Sequence, residues 1–313
     1  MNARSMLSGL ATYLPGATRV RATGGTDSAR YCYSVWLRHL VMARASGLDT
    51  DPRTIAELGP GDSLGIGLAG LLSGADKCFA FDVVEHASAE RNLGILDELV
   101  ALLRRRADIP GPEELPSTKP ALEDYRFPAG ILGRERLQRA LDPARIERIR
   151  ASLRDPRRPQ SLIEYRAPWF AAERIAPASV DMIYSQAVLE HVEDLPGTYA
   201  AMMRWLRPSG FVSHQIDFKS HGTAPQWNGH WTYSEPAWRL VKGRRPYLIN
   251  REPLSTHLRL LKAAGFEIRC TLAVRWSSPI GRAQLARRFR HLSDEDLATS
   301  GAFLQAVPRG GRR

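Results

Sequence analysis

An acid two positions ahead of a pair of glycines, Glu57-Leu-Gly59-Pro-Gly61, stands where an apolar run gives way to a helix-like segment. Glycines there let the backbone come close to a ligand, and a helix start presents N–H groups that have no partner inside the helix. The ligand is not an obvious pyrophosphate: the carboxylate would oppose it, and a G-x-G-x-x-G fingerprint needs glycine at position 64, which is Leu64. Taken alone, the stretch also reads as an ordinary tight turn. Asp82 ends the next apolar run, KCFAFDVV. A carboxylate at that point can accept two hydrogen bonds from vicinal ribose hydroxyls, or simply be a solvated acid at a strand end.

A second group lies in SHQIDFKSHG and QWNGHWTY, which gather His214, Asp217, His221 and His230 with Trp227 and Trp231. A histidine or aspartate here could take a proton from a hydroxyl as it attacks an electrophile, a contribution of roughly 10²- to 10⁴-fold. Asp217 and His221 are the stronger candidates for that base, with His214 behind them because its alternation also suits a packed strand residue. His214, Asp217 and His221 are the donor types that divalent ions take. Nothing in their spacing fixes a geometry, and no metal is expected.

The elements that must position these groups follow from periodicity. Arg30 to Ala45 has helical spacing; Thr54 to Leu58 and Lys77 to Val84 are strands flanking the glycine-tolerant helix LGIGLAGLLSGA, a β-loop-α-β opening. Residues 86–160 far exceed an ordinary connection and must carry structure of their own. Helices are expected over Leu93 to Arg106 and Arg134 to Leu153, around the proline-punctuated loop IPGPEELPSTKP. Further strands are expected at Ser161 to Tyr165, Val180 to Ser185, Phe211 to Phe218 and Phe266 to Val274. Helices fill Leu195 to Leu206, stopped by RPSG, and Pro253 to Ala264. A basic helix over Pro279 to His291 and an antiparallel seventh strand at AFLQAV complete the pattern. The expected fold is α/β: a doubly wound, mostly parallel seven-stranded sheet with a helical insertion. The domains are a loosely ordered arm and helix at 1–50, then a main domain at 51–313, with an inserted lid at 86–160 and a substrate-side loop at 219–252.

ELGPG, then Asp82, then DMIYSQAVLEHVED, then LRPSG occur in an order that resembles class I S-adenosylmethionine-dependent methyltransferases, especially the small-molecule type with a Leu-Glu-His signature after the fourth strand. The resemblance covers roughly Thr54 to Phe218 without the insertion. It implies that Glu57, Gly59 and Gly61 hold the methionine moiety and ribose side of S-adenosylmethionine, that Asp82 grips the ribose hydroxyls, and that Ser185 and Gln186 line the methionine end. His191 orders the loop or acts chemically. Many members have an aspartate after the third strand against the adenine; here the chain reads Tyr165-Arg166-Ala167-Pro168, which leaves the adenine to backbone groups and Trp169. The third glycine of the turn is replaced by Ser63. The expected reaction is methyl transfer to a hydroxyl oxygen of a small or saccharide-like acceptor, with the insertion and the tryptophan-rich loop closing over it. An RNA or protein methyltransferase, and a scaffold that binds the cofactor without turnover, are the alternatives.

With 313 residues and 43% hydrophobic content, the chain can bury a large core. Cys32, Cys78 and Cys270 are dispersed, which argues against a disulfide framework or thiolate zinc site and fits a reducing, cytoplasmic setting. No apolar run reaches the length of a membrane helix. The net charge of +11 is spread as arginine along the chain, without the aromatic interleaving of a single-strand binding platform. Nucleic acid is therefore not the expected partner. The Arg282 to Arg290 stretch is expected to be a solvated face, peripheral contact with an anionic membrane being the other reading. The oligomeric state stays open.

Overall fold

The computed structural model describes residues 3–14, 25–155, 160–168, 175–245 and 247–310. Among these, seven strands form one sheet: β1 (Thr54–Leu58), β2 (Lys77–Phe81), β3 (Ile163–Arg166), β4 (Val180–Gln186), β5 (Leu206–Asp217), β6 (Phe266–Arg275) and β7 (Thr299–Pro308). Their order is β3-β2-β1-β4-β5-β7-β6. The first five are parallel, and β7 runs antiparallel between β5 and β6. The doubly wound α/β expectation, including the antiparallel seventh strand, is what the chain adopts.

Both faces of the sheet are covered, so neighbouring residues of a strand enter different cores. Ile55, Met182, Tyr184 and Phe211 pack in one cluster with α2 (Ala29–Ala45), α3 (Gly65–Leu71) and α4 (Ala89–Arg104), after the short N-terminal α1 (Ala3–Ala11). Ala56, Ile183 and Val212 pack in the other with α7 (Leu195–Trp205) and α9 (Leu254–Ala263). The remaining helices are α5 (Arg134–Ala140), α6 (Pro143–Arg154), α8 (Glu235–Lys242) and α10 (Asp294–Ala298). Among the described residues no helix is long and apolar enough to cross a membrane.

Three expectations change. Residues 3–11 are a helix rather than a loose stretch: α1 lies on α8 so closely that a Cβ at Gly9 would meet the Leu240 carbonyl. Within 219–252, Ser234 caps α8 by accepting from Ala237 N, so that stretch is not all loop. The basic run near the C-terminus is not one helix but two short 3-10 turns, Arg282–Gln284 and Arg287–Phe289. Its apolar residues Leu285 and Phe289 fill a pocket around Trp231, and Arg282 and Arg288 are held by Asp294 and by Glu235 and Glu252, contacts that a straight helix would break.

Part of the positive charge acts inside the fold. Arg38 of α2 is wholly buried. Its guanidinium donates to the Pro110 carbonyl at 2.9 Å and to the Pro120 carbonyl, its Nε to Ser34 Oγ at 3.0 Å, and it lies 5.0 Å from the Tyr125 ring centre. One side chain thus ties the connection between α4 and α5 onto the main domain. Arg136 donates to Ser73 O at 2.6 Å and Thr50 O at 2.8 Å, and Arg145 to Leu71 O at 3.1 Å. Through Ser73 and Leu71 these guanidiniums pin α5 and α6 to the C-terminal end of α3, where cations are favoured, and through Thr50 to the approach to β1.

Replacing Arg38 with alanine strands several buried carbonyls and is expected to lower stability by about 2–4 kcal/mol. Arg275→Ala, which loses only a 3.4 Å surface pair with Glu295, is expected to leave the urea midpoint almost unchanged; equal midpoints for the two variants would refute the bracing role. A second expectation concerns acid. His39, His214, His230 and His257 are buried, and burial lowers each ring to about 3. The unfolded chain takes up these protons near pH 6.5 while the fold resists them, so stability is fully present above that pH. It falls toward pH 3, by up to about 1.4 kcal/mol per pH unit per histidine. Urea midpoints between pH 7.5 and 4.5 measure this, and a flat profile would mean the rings protonate within the fold.

Candidate active site

The turn after β1 is forced by its own backbone. Gly59 and Gly61 have φ of +64° and +72°, and a Cβ at Gly59 would come within 2.6 Å of a Val188 methyl. Gly59 N donates to Phe81 O at 2.8 Å, which ties the turn to the end of β2. The N–H groups of this turn and of the start of α3, which the helix cannot satisfy internally, find partners from four directions. Gly61 N donates to Asp82 Oδ2 at 3.0 Å, Ser63 N to Thr26 Oγ1 at 3.0 Å, Leu64 N to Asn92 Oδ1 at 2.9 Å, and Gly67 N to Glu57 Oε2 at 3.1 Å.

Glu57 is buried, and its Oε2 also accepts from the Tyr184 hydroxyl at 3.1 Å. Burial pushes this carboxyl up to about 8, against the pull of the Tyr184 and Gly67 hydrogen bonds. Asp82 uses one lone pair on each oxygen, Oδ1 accepting from Val83 N at 2.7 Å and Oδ2 from Gly61 N. A carboxylate oxygen has two lone pairs, so both oxygens retain capacity for a ligand's hydroxyls.

At the end of β4, Ser185 is fully buried and its hydroxyl pairs with His214 Nδ1 at 2.8 Å. Neither has surface for a ligand in this conformation. Gln186 donates from Nε2 to Lys119 O at 3.1 Å, and its buried Oε1 completes no hydrogen bond among the described residues. The insertion therefore reaches the carboxyl end of the sheet through Lys119. Trp169 lies outside the described residues.

Asp217 ends β5 and is half-buried. Its Oδ1 accepts from Lys219 N at 2.8 Å, and its Oδ2 lies 3.0 Å from Lys219 Nζ and 3.6 Å from His221 Nε2. Burial pushes Asp217 up, but His221 and Lys219 outweigh it and hold the carboxyl below its usual value. His221 is exposed, with φ of +48°, and its ring meets His191 edge to face at 5.2 Å. Burial, with His221 beside it, lowers His191 to about 4.

The structure thus places Glu57, Gly59, Gly61 and Asp82 around one turn, and Asp217 and His221 together two strands away, while His214 and Ser185 sit inside the sheet. Trp231 is fully buried, with Nε1 donating to Arg251 O at 2.9 Å, so it does not face an acceptor. Residues not anticipated are Thr26, Tyr184, Asn92 and Glu190. A hydroxyl in an apolar strand marks Tyr184, and an acid beside His191 marks Glu190; the roles of Thr26 and Asn92 arise only from long-range packing. A basic hollow lined by Arg53, Arg136, Arg139 and Arg145 lies at the amino ends of β1 and β2, away from this site. Open α/β sheets take ligands at the carboxyl ends of their strands.

No curated protein matches the chain significantly. Several solved structures are similar at low identity. An S-adenosylmethionine-dependent methyltransferase from Mesorhizobium loti is 14% identical with a TM-score of 0.43, over 85% of this chain and 96% of that one. A putative sarcosine dimethylglycine methyltransferase from Galdieria sulphuraria is 12% identical, TM-score 0.44, over 86% and 84%. Phosphoethanolamine N-methyltransferase 2 from Haemonchus contortus, in complex with S-adenosyl-L-methionine, is 16% identical, TM-score 0.42, over 88% and 53%. The methyltransferase domain family model matches residues 37–271, which takes in β1 to β5, the glycine turn, Asp82 and the Leu-Glu-His segment. The chain belongs to that family and is a class I, S-adenosylmethionine-dependent methyltransferase.

Proposed function

We propose that the enzyme methylates a hydroxyl oxygen of a small or saccharide-like acceptor. The observation that carries this reading is the Asp217–His221 pair, open at the carboxyl end of β5, two strands along the same sheet edge from the glycine turn and Asp82. Glu57, Gly59 and Gly61 hold the methionine and ribose side of the cofactor, and Asp82 accepts from the ribose hydroxyls with its remaining lone pairs. Gln186, at the end of β4 beside the turn's strand, faces the methionine end; Ser185 shapes that wall from behind.

Methyl transfer is an in-line displacement. The acceptor oxygen forms a bond to the methyl carbon as the carbon–sulfur bond breaks, S-adenosylhomocysteine leaves neutral, and the hydroxyl proton passes to Asp217 or His221. Alignment supplies most of the acceleration, with the base adding to it. His214 acts at one remove, packing under Ser185. The stretch 86–160 forms the roof over the cofactor through Lys119 and Gln186, and 219–252 forms the acceptor side.

Calorimetric titration with S-adenosylmethionine tests the cofactor half. Asp82→Ala loses a charged acceptor and the brace on Gly61, and should weaken binding at least about tenfold. Gly59→Ala, whose Cβ has no room, should abolish it; wild-type affinity in both folded variants would overturn the assignment. For the acceptor half, Asp217→Asn and His221→Ala should each lower kcat on hydroxylated acceptors by roughly 10²- to 10⁴-fold with cofactor affinity kept. Unchanged kcat in both would remove the base from this pair.

A further inference from the structure

Glu190 and His191 form the 3-10 turn Leu189–His191 just past β4, and His221 follows β5, so the turn and loop put three side chains at the mouth of the acceptor side. One ligand atom from each of the three lies within 4.8 Å of the other two. Donors around a zinc-sized ion with bonds of about 2.1 Å sit roughly 3.4 Å apart, so closing the set takes side-chain shifts of about an ångström.

Two features show what each donor is prepared for. Glu190 is 3% exposed, and among the described residues neither carboxyl oxygen completes a hydrogen bond. Its own N–H and that of Asp217 lean toward it without completing a bond of acceptable geometry. A buried carboxyl without a partner is either held neutral or serves a cation, and the two imidazoles beside it favour the second. His191 Nδ1 lies 2.8 Å from the Tyr247 carbonyl oxygen. A carbonyl only accepts, so Nδ1 carries the proton and Nε2 keeps a bare lone pair, the arrangement a ligating imidazole has when a second group fixes its tautomer. Asp217 is already engaged by Lys219 and backs His221 rather than joining the donors.

We propose that Glu190, His191 and His221 bind one divalent transition-metal ion, with zinc the chemical type that two imidazoles and one carboxylate suit best, and that the open position of this ion takes the acceptor's hydroxyl oxygen. Binding of the ion stands on the three donors alone; its role toward the acceptor rests on the methyl-transfer reading above. An ion there would lower the hydroxyl's hold on its proton, and with His221 taken up as a ligand that proton would pass to Asp217, the other member of the pair.

The test uses Co²⁺, whose visible absorption reports its ligands, titrated into the chelator-treated full chain and then displaced by Zn²⁺. Wild type should bind one equivalent with visible bands that Zn²⁺ removes. His221→Ala, a change at an exposed position, and Glu190→Gln, which keeps the shape, should each weaken binding at least tenfold. No Co²⁺ binding by wild type, or equal binding by both variants, would overturn the proposal. Titrating S-adenosylmethionine into the same samples separates the two readings: cofactor binding without Co²⁺ binding removes only the ion, and Co²⁺ binding without cofactor binding removes only the cofactor assignment.

Discussion

Between β1 and α3 the chain turns with positive φ against Val188, so that only glycine fits at residue 59, and that turn leaves a row of amide protons outside any helix or strand ladder. Exposed amides are useful to a ligand but cannot stay unmet in the interior, so the surroundings are arranged around them. Thr26 comes from before α2, Asp82 from after β2, Asn92 from α4 and Glu57 from β1 itself. These four contacts fix where the strand edge, the first crossover helix and the preceding segment must lie relative to one another. The Glu57–Tyr184 hydrogen bond then carries the same constraint across to β4, whose end leads into the Leu-Glu-His turn.

The parts readable from sequence are those where one local signal has one physical meaning. Two glycines after an acid mark a turn with positive φ; alternation and length mark β1, β2 and β4; the Pro and Gly after α7 mark its end. Helices α2, α4 and α9 announce themselves by apolar spacing. What could not be read depends on distance in the chain. Ser185 and His214 look like ligand-facing polar residues, yet they pair with each other inside the sheet because β4 and β5 are adjacent and in register. The basic run at 282–290 has helical composition, but Trp231 and the acids at 235, 252 and 294 pull it into two turns. α1 is short and weakly apolar, and its packing partner is more than two hundred residues away.

The arginine excess acquires a different meaning in three dimensions. Arg38, Arg136, Arg145 and Arg251 direct their guanidiniums at backbone carbonyls or aromatic faces; Arg251 lies between Trp238 and Phe289 at 4.5 and 4.9 Å, and burial lowers it to about 10. Arginine suits this work because its planar fork satisfies several acceptors at once and keeps its charge. Composition alone gave these arginines no assigned partner; in the fold the four side chains serve the connections between elements.

The position of β7 constrains the order in which the chain can assemble. β6 touches the sheet only through β7, and β5 has no neighbour on that side until β7 arrives. During synthesis the glycine turn, Asp82 and the Leu-Glu-His segment emerge first and can settle as a five-stranded unit, while β5 presents a bare edge and β6 waits unpaired. Sheets closed by a late, sequence-distant strand fold slowly and expose that edge meanwhile. The acceptor side hangs from the end of β5, so its outer wall gains a covered edge only when β7 is in place, whereas the cofactor side rests on strands that precede it in the chain.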